Sequence, residues 1–357
     1  MSNIEYMNCL PKEKPGPVVK PGEFVFAAIA LDHVHIAFMC MELVKAGGTL
    51  KAIYDPCKEK CEMFLKYFPW VKVAASEEEI LNNPDIKLVA GAAVPSERCA
   101  LGLRVMEAGK DYFTDKCPMT TLKQLEMARA KVKETGRKYM VYYSERLHSE
   151  SAEFAGQLIR TGAIGDVIQV MGLGPHRLEE EKRPSWFFEK EKYGGILCDI
   201  GSHQIEQYLY YSGAKDATVV RSQVGNYNNP NHPELEDFGE AMLVGDNGTT
   251  NYFRVDWFTP DGLGTWGDGR TMILGTKGYI EIRKYIDVAV SKEQDHVILV
   301  NNNVEEKFDV EGKVGYPFFG QLILDCINRT ENAMTQEHAF KAAELCIKAQ
   351  MQSVKLK

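Results

Sequence analysis

Residues 24–55 read FVFAAIALDHVHIAFMCMELVKAGGTLKAIYD, and the architecture of the first half of the chain can be inferred from this segment. The continuous apolar run at 24–30 is typical of a strand that is buried on both faces. Helical spacing at 35–46 ends at two glycines, and a second short apolar run follows at 50–54. A strand, a helix and a strand in this order predict a βαβ unit of a parallel sheet.

The same alternation continues to residue 143 and predicts an α/β domain with a doubly wound parallel sheet. Helices of this length can carry the chain back to the edge of the sheet at which each strand begins. The further strands are predicted at 72–74, 86–90, 111–114 and 138–143, and the further helices at 56–68, 77–81, 97–108 and 122–135.

The pattern changes after residue 143, because strand and turn signals dominate and helices become fewer. This change predicts a second, α+β domain that is built on a large, mostly antiparallel sheet. Strands are predicted at 168–173, 219–224, 240–244, 249–257, 270–274, 279–283, 288–290 and 297–300, with helices at 151–160, 201–212 and 337–354.

Composition excludes several classes of protein. The 357 residues are 45% hydrophobic and 26% charged, as in a globular protein of two domains. A net charge of -8 without a basic block argues against nucleic acids and anionic membranes as partners. No apolar run has the length of a membrane span or of a signal core, so we expect a cytoplasmic protein. The nine cysteines are irregularly spaced, which indicates reduced, mostly buried thiols and no metal site.

The first strand-to-helix turn is where a doubly wound sheet binds the pyrophosphate of a dinucleotide. The glycine fingerprint would place glycines at 30, 32 and 35, and none is present. Ala30 still permits a fairly tight turn, and Leu31, His33 and His35 are expected to contact the cofactor or to cap the helix. Asp32 brings a carboxylate toward the diphosphate, so we expect it to turn away and cap the following helix.

Asp55 is the second nucleotide signal, because it comes directly after the second strand, about 20 residues beyond the turn. An acid at this position holds the adenosine ribose hydroxyls, and the lack of a neighbouring Arg favours NAD over NADP. Alternatively, Asp55 caps the start of the next helix before Pro56. One carboxylate can serve both as this cap and as the ribose acceptor. Ala93, Pro95 and Arg98, which follow the fourth predicted strand, are expected to border the cofactor as well.

Three further segments share one order and spacing. Residues 107–118 read EAGKDYFTDKCP, residues 159–167 read IRTGAIGDV, and residues 194–203 read GGILCDIGSH. They resemble the EAGKHVLVEKP, IxxGxIGxI and GGGxLxDxGxH stretches of the glucose–fructose oxidoreductase and inositol dehydrogenase (Gfo/Idh/MocA) family. Two departures stand in the first segment, where Asp115 replaces Glu and Cys117 is inserted before the proline.

The resemblance implies a division of the chain into four parts. An extended arm at 1–23 precedes an NAD-binding Rossmann domain at 24–143. An α+β domain for substrate binding and oligomerisation follows at 144–340, and a C-terminal helix at 341–357 packs back on the body. Because the large sheet pairs between subunits in this family, a homo-oligomer is expected.

The family's catalytic lysine maps onto Lys116, and its aspartate and histidine map onto Asp199 and His203. Oxidation of a secondary alcohol requires a base that removes the hydroxyl proton, and His203 is suited to this near neutral pH. Lys116 is expected to hydrogen-bond the same oxygen and to touch the cofactor, while Asp199 orients the substrate or the imidazole. Taken singly, Asp199 could be a helix cap and His203 a core residue.

Side chains suited to a sugar follow several predicted strands. Arg146 and His148 come after the sixth strand, at the sheet edge where ligands bind, and His176 follows a strand of the second domain. Trp186 and Trp266 offer aromatic faces on which a sugar ring can lie. Each also has a structural interpretation: Trp186 as core, Arg146 as part of a surface ion pair, and the loop of Trp266 as a hairpin connection.

The segments 175–177, 186–188, 192–197 and 265–270 also resemble a narrower bacterial branch of the family. Its members oxidise the 3-hydroxyl of glucosides in gut anaerobes, which implies a C- or O-glucoside such as puerarin as substrate. A 3-keto group acidifies the neighbouring 2-hydrogen, so a downstream C-glycoside-cleaving lyase would be a pathway partner. The alternatives are an inositol or free-sugar dehydrogenase, and a non-catalytic relative that binds NAD and a sugar.

Overall fold

The computed structural model describes residue 6 and residues 9–356, which form a parallel sheet and a larger mixed sheet. The first sheet consists of β1 (Val25–Ile29), β2 (Thr49–Tyr54), β3 (Lys72–Val73), β4 (Ile86–Gly91), β5 (Asp111–Asp115) and β6 (Tyr139–Tyr142). All its strand pairs are parallel, in the order β3-β2-β1-β4-β5-β6. The order reverses between β1 and β4, and this reversal opens a crevice at the carboxyl ends of the strands.

The helices that connect these strands confirm the predicted alternation. They are α1 (His35–Lys45), α2 (Lys58–Leu65), α3 (Glu77–Leu81), α4 (Pro95–Glu107) and α5 (Leu122–Thr135). Strand β1 is enclosed on both faces, since Phe26, Ala27 and Ala28 are fully buried. An unbroken apolar run therefore marked a central parallel strand, as the sequence predicted.

The second sheet has nine strands and is mostly antiparallel. Its members are β7 (Val167–Pro175), β8 (Ala217–Gly225), β9 (Phe238–Gly245), β10 (Thr250–Asp256), β11 (Arg270–Gly275), β12 (Gly278–Arg283), β13 (His296–Asn301), β14 (Glu305–Asp309) and β15 (Val354–Lys355). They are ordered β14-β13-β12-β11-β7-β10-β9-β8-β15. Only the β7–β10 and β8–β15 pairs of the described strands are parallel.

Helices pack on one face of this sheet and join it to the first domain. They are α6 (Ser144–Leu147), α7 (Glu150–Arg160), α8 (Lys190–Tyr193), α9 (Ile196–Asp199), α10 (Gly201–Ser212), α11 (Pro317–Asn328) and α12 (Gln336–Met351). Helix α10 lies on β7, where a Cβ on Gly172 would stand 2.1 Å from Gln204 Oε1. The glycine thus lets α10 approach the strand closely and fixes the helix that carries His203.

The structure corrects the predicted elements of the second half of the chain. Residues 288–290 are not a strand but part of a turn, because the Val290 N–H donates to the Asp287 carbonyl and closes it. The prediction missed strands β14 and β15, the short helices α6, α8 and α9, and helix α11. Helix α11 is buried through Phe318 and Phe319, which pack on Phe113 of β5.

Two further predictions concern the cysteines and membrane-spanning segments. Seven of the nine cysteines are buried, as predicted. Across residue 6 and residues 9–356, every helix is too short or too polar to cross a bilayer.

Candidate active site

A cavity of about 350 Å³ lies in the crevice between the two sheets. Side chains from both domains line it, including those that follow β1, β5 and β7 and those on α9 and α10. The lining residues are His33, Val34, His35, Phe38, Pro95, Arg98, Asp115, Lys116, Ser144, His176, Arg177, Glu179, Arg183, Trp186, Phe187, Tyr193, Asp199, His203, Trp257 and Trp266. The three residues expected to be catalytic are therefore brought together, although 87 positions separate the first from the last.

Lys116 and Asp199 form an ion pair inside this cavity. Lys116 follows directly after β5, and Asp199 is the last residue of α9. Burial opposes the ionisation of Asp199, but the adjacent Lys116 ammonium lowers the pKa of its carboxyl below the ordinary value. The pair therefore presents a fixed ammonium group to the cavity, held by a carboxylate.

His203 lies in the first turn of α10 and faces the same cavity. Its Nδ1 is enclosed and has no hydrogen-bond partner among the described residues. Burial lowers the pKa of His203 to about 3, while the charge of Glu145 raises it and that of Lys116 lowers it further. The imidazole is therefore neutral at physiological pH and able to accept a proton.

The Asp115 carboxylate is the centre of a polar cluster beside Lys116. His33 Nδ1 and His35 Nδ1 lie 2.8 Å and 2.9 Å from its two oxygens, and an Arg98 nitrogen lies 3.1 Å away. Burial opposes its ionisation, yet the surrounding His35, Arg98 and His33 hold the pKa of Asp115 well below its ordinary value. The cluster thus ties the first turn to the end of β5.

The ligand atoms of His33, His35 and Asp115 lie close enough together to hold a metal ion. However, the Arg98 guanidinium binds the same carboxylate, and Lys116 is the next residue along the chain. Two neighbouring positive charges disfavour a divalent cation. We therefore assign these contacts to a hydrogen bond of His35 and a close polar contact of His33, which position the two imidazoles at the cavity wall.

The first turn offers donors for a diphosphate in place of the missing glycines. The backbone N–H groups of residues 32–35 donate to no group within the described part of the chain. Ala30 adopts a left-handed conformation with a φ of 61°, as a glycine at this position readily would. Unpaired N–H groups at the start of α1, an 11-residue helix, match the anion of a dinucleotide.

The role predicted for Asp32 as a helix cap is wrong. The residue before α1 is Val34, and it provides no side-chain cap. Asp32 instead forms an ion pair with Lys60 of α2, whose ammonium also lies 3.8 Å from Asp55 Oδ1. The lysine is the stronger partner for the carboxylate and draws it toward α2, which sequence spacing did not show.

Asp55 binds the backbone at two points. Its Oδ2 accepts the Leu31 N–H at 2.7 Å and its Oδ1 accepts the Cys57 N–H at 2.9 Å. The carboxylate therefore fixes the first turn against the start of α2, and the expected helix-starting role is present. Each oxygen keeps a second lone pair, so the residues fit an adenosine ribose at this edge.

Pro95 and Arg98 line the cavity, as expected for residues beside the cofactor. Ala93 is set behind them, where its carbonyl accepts the Arg98 Nε–H at 2.7 Å. Arg98 also donates to the Lys116 and Cys117 carbonyls. These bonds hold Lys116 in place, a positioning role that the sequence did not reveal.

An aromatic wall closes the outer part of the cavity. Trp186, Trp266 and His176, which were predicted to contact substrate, all line it. Trp257 and Phe187 complete the wall, with ring centroids 5.2 Å apart. The His176 and Trp266 rings meet edge to face at 4.3 Å. Apolar ring faces near charged groups suit a sugar or an aromatic substituent.

The prediction that Arg146 and His148 contact substrate is wrong. Arg146 donates from Nε to both oxygens of Glu206, at 2.7 Å and 2.9 Å, and is buried behind α10. His148 Nδ1 lies 2.6 Å from the Tyr142 hydroxyl, away from the cavity. Both follow β6, but the short helix α6 turns them from the crevice, and only its first residue, Ser144, lines it.

Several residues near the site were not predicted, among them Arg183, Glu145 and Lys284. Arg183 lies over the Phe187 ring at 4.6 Å and lines the cavity, but its place in a charged loop gave no signal. Glu145 and Lys284 form a buried ion pair directly behind the cavity, with an Nζ–Oε2 distance of 3.0 Å. A pair 139 residues apart leaves no pattern in the sequence, and only the fold brings it together.

The match to known proteins extends over both domains. Residues 30–143 match the model of the oxidoreductase family with an NAD-binding Rossmann fold, and residues 153–281 match the GFO/IDH/MocA C-terminal domain. A scyllo-inositol 2-dehydrogenase (NAD(+)) of Bacillus subtilis is 27% identical over 238 residues, which is 66% of each chain. The chain thus spans about two thirds of the length of this curated relative.

Solved structures show the same architecture. A protein of Erwinia carotovora atroseptica SCRI1043 is 53% identical with a TM-score of 0.91, covering 94% of this chain and 100% of its own. A levoglucosan dehydrogenase in complex with NADH is 16% identical with a TM-score of 0.76, covering 92% of this chain and 98% of its own. With family matches in both domains, the chain belongs to the GFO/IDH/MocA oxidoreductase family and carries its NAD-binding Rossmann domain.

Proposed function

We propose that the chain oxidises the 3-hydroxyl of the glucosyl group of a C- or O-glucoside, such as puerarin, to a 3-keto glycoside with NAD as oxidant. The convergence of Lys116, Asp199 and His203 in one cavity beside the Rossmann crevice carries this proposal. A neutral imidazole and an ammonium group are the base and the oxygen-binding group that alcohol oxidation requires.

The dinucleotide would be held by the free N–H groups at the start of α1 and by Asp55 at the ribose. When bound, NAD supplies the acceptor for the hydride of the substrate carbon. His203 takes the hydroxyl proton, while the Lys116 ammonium donates a hydrogen bond to the same oxygen and stabilises its developing charge. Asp199 holds the Lys116 side chain in place through the ion pair.

The aromatic wall favours a glycoside over a free polyol. Trp257, Trp266 and Phe187 provide a large apolar surface. A small cyclitol, which carries a hydroxyl group on each ring carbon, has too little apolar surface to cover it. An aromatic aglycone would bury its rings against this wall while the sugar faces Lys116 and His203. The alternative function, an inositol or free-sugar dehydrogenase, is supported by the B. subtilis relative, which acts on scyllo-inositol.

Reduction of NAD by a substrate panel tests the proposal. Phenyl β-D-glucoside and puerarin should each form NADH in a single turnover, and the product should be the 3-keto glycoside by NMR. NADH formation from scyllo-inositol with none from either glucoside would instead establish the polyol dehydrogenase. A protein that binds NAD but reduces it with no member of the panel would be the non-catalytic relative.

Two partners accompany the proposal. The 3-keto group of the product acidifies the neighbouring 2-hydrogen, so a C-glycoside-cleaving lyase would consume the product by elimination.

A second copy of this chain would cover the outer face of the nine-stranded sheet, where Met272, Met171, Tyr252 and Met242 form a row across β11, β7, β10 and β9. Met242 is 48% exposed, and light scattering would detect a monomer if Met242→Lys breaks the contact.

A further inference from the structure

Arg183 lines the active-site cavity, is half-buried and has no carboxylate partner among the described residues. The other arginine and lysine side chains that line the cavity are each paired with an acid, in the ion pairs Arg98–Asp115, Lys116–Asp199 and Arg177–Asp261. Withdrawing a charge from water is costly unless the charge is paired. An unpaired guanidinium at this position therefore indicates a partner that the chain itself does not supply.

Two backbone carbonyls fix one edge of the Arg183 guanidinium. Its Nε donates to the Leu178 carbonyl at 2.8 Å, and its Nη2 donates to the Arg177 carbonyl at 3.3 Å. Its Nη1 donates to no group of the described residues, so the end of the guanidinium formed by Nη1 and Nη2 keeps N–H groups without an acceptor. Two parallel N–H groups at the end of a guanidinium match the two oxygens of a carboxylate.

The same guanidinium lies on the aromatic wall of the cavity. Its central carbon is 4.6 Å from the centre of the Phe187 ring and 5.0 Å from the centre of the Trp257 ring. Ring faces attract a cation and restrict its orientation, but they provide no acceptor for its N–H groups. The charge of Arg183 is therefore held at the apolar surface on which the aglycone of the proposed substrate would lie.

Two acids act on Arg183 from a distance, but each is bound to another cation. Asp199 is paired with Lys116, and Glu179 lies 2.7 Å from the Lys182 ammonium. Burial lowers the pKa of the Arg183 guanidinium below its ordinary value, although the charges of Asp199 and Glu179 raise it. An arginine stays charged in a protein, so this cation remains available to an anion that enters the cavity.

We infer that Arg183 binds an anionic oxygen group, such as a carboxylate, on the aglycone of the substrate. This inference rests on the proposed function, in which the aromatic wall holds the aglycone. The wall supplies the apolar contact and Arg183 supplies the charged one, so the substrate class narrows to aryl glucosides with an acidic substituent. A neutral analogue of the same shape keeps the contact with the rings but loses the charge-assisted hydrogen bond.

Binding to the NADH-loaded protein tests this inference without requiring turnover. The probes are 4-carboxyphenyl and 4-carbamoylphenyl β-D-glucoside, which differ in charge but little in shape, and the corresponding pair substituted at the 3-position. In at least one pair, calorimetric titration should show that the acid binds about tenfold more tightly than its amide, the scale of a hydrogen bond between charged groups.

Variants at Arg183 separate charge recognition from the support of the wall. Arg183→Met removes the charge, so the acid should lose its advantage over the amide. Arg183→Lys keeps a charge without the planar fork and should retain only part of the preference. Because the acid and the amide are compared within one variant, a shift of the wall affects both affinities alike. Arg104→Met, which breaks an exposed pair with Glu77 outside the cavity, is the matched control and should keep the parental preference.

Equal or undetectable binding of acid and amide by the parent overturns the inference, whether or not the variants fold. So does a preference for the acid that persists in Arg183→Met. Tighter binding of phenyl β-D-glucuronide than of phenyl β-D-glucoside, lost in Arg183→Met, would place the anion on the sugar and overturn its assignment to the aglycone. A preference that depends on Arg183, with no NADH formed from any glucoside in the NAD-loaded protein, would instead show that the proposed oxidation is wrong.

Discussion

The Lys60 ammonium is paired with the Asp32 carboxylate, which stands where the dinucleotide fingerprint has its second glycine. The same ammonium lies 3.8 Å from Asp55 Oδ1, so one cation from α2 serves two acids at the cofactor edge. An unpaired carboxylate beside a diphosphate would repel it, and Lys60 removes much of that repulsion.

Lys60→Met should therefore weaken NAD binding about tenfold, or about 1.4 kcal/mol, because Asp32 is then unpaired. K60M/D32G should recover most of the affinity, since it removes the repulsive charge as well. Equilibrium titration of NAD by protein fluorescence measures both. Lys51→Met, which breaks an exposed pair with Asp85, is the matched control and should bind as the parent does. Parental affinity in K60M would show that Lys60 does not act on the cofactor.

Asp55→Ala should weaken NAD by about 1–3 kcal/mol, the scale of hydrogen bonds to a charged group. The variant loses the ribose acceptor and also the bond that fixes the Leu31 N–H. Calorimetric titration with NAD and with NADP checks this expectation. Equal or better use of NADP by the unmodified protein would contradict the role given to Asp55.

His203→Ala should lower single-turnover NADH formation at least about 100-fold, the usual size of a lost general base. Its NAD affinity should stay close to the parent's, because the imidazole faces substrate and not adenosine. Lys116→Ala should also be slow, since the hydroxyl oxygen loses its charged donor. If both variants turn over at the parental rate, the assignment of this site is wrong.

Between about pH 8 and 5, the kcat/KM of oxidation should not fall through protonation of His203. Its pKa is lowered from 6.5 to about 3, mainly by burial, so the base is already neutral throughout this range. The pH profile of kcat/KM for phenyl β-D-glucoside measures this. A fall centred near pH 6.5 that disappears in a variant at His203 would contradict it.

Stability should decrease as the pH falls from about 6.5 toward about 4. Burial lowers the pKa values of His33, His148 and His176 to about 4, so the unfolded chain binds protons in this window while the folded chain does not. Each of these histidines adds a slope of up to about 1.4 kcal/mol per pH unit.

Urea unfolding at several pH values measures this slope, and His148→Gln should reduce it by one histidine's share. His148 lies outside the cavity, so its replacement tests the titration without altering the site. A free energy of unfolding that is constant from pH 6.5 to 4.5 would refute the expectation.

The sequence alone determined the architecture and singled out the three residues proposed to be catalytic. The apolar run at 24–30 is typical of a strand buried on both faces, and helices and strands alternate from there to residue 143. This pattern predicts a parallel sheet, which the structure confirms. Lys116, Asp199 and His203 were found through the order and spacing of motifs. The periodicity of apolar residues indicates which face of a segment is buried, and motifs indicate residue types that a reaction requires at a fixed spacing.

The tertiary structure decided which polar groups face one another. It paired Asp32 with Lys60 rather than with the backbone, and it turned Arg146 onto Glu206 instead of the substrate. It also placed Glu145 beside Lys284. Direction and pairing of a charged side chain depend on which distant segment is packed against it. Because such contacts cross many residues, no local period or spacing records them, and only the packed fold fixes them.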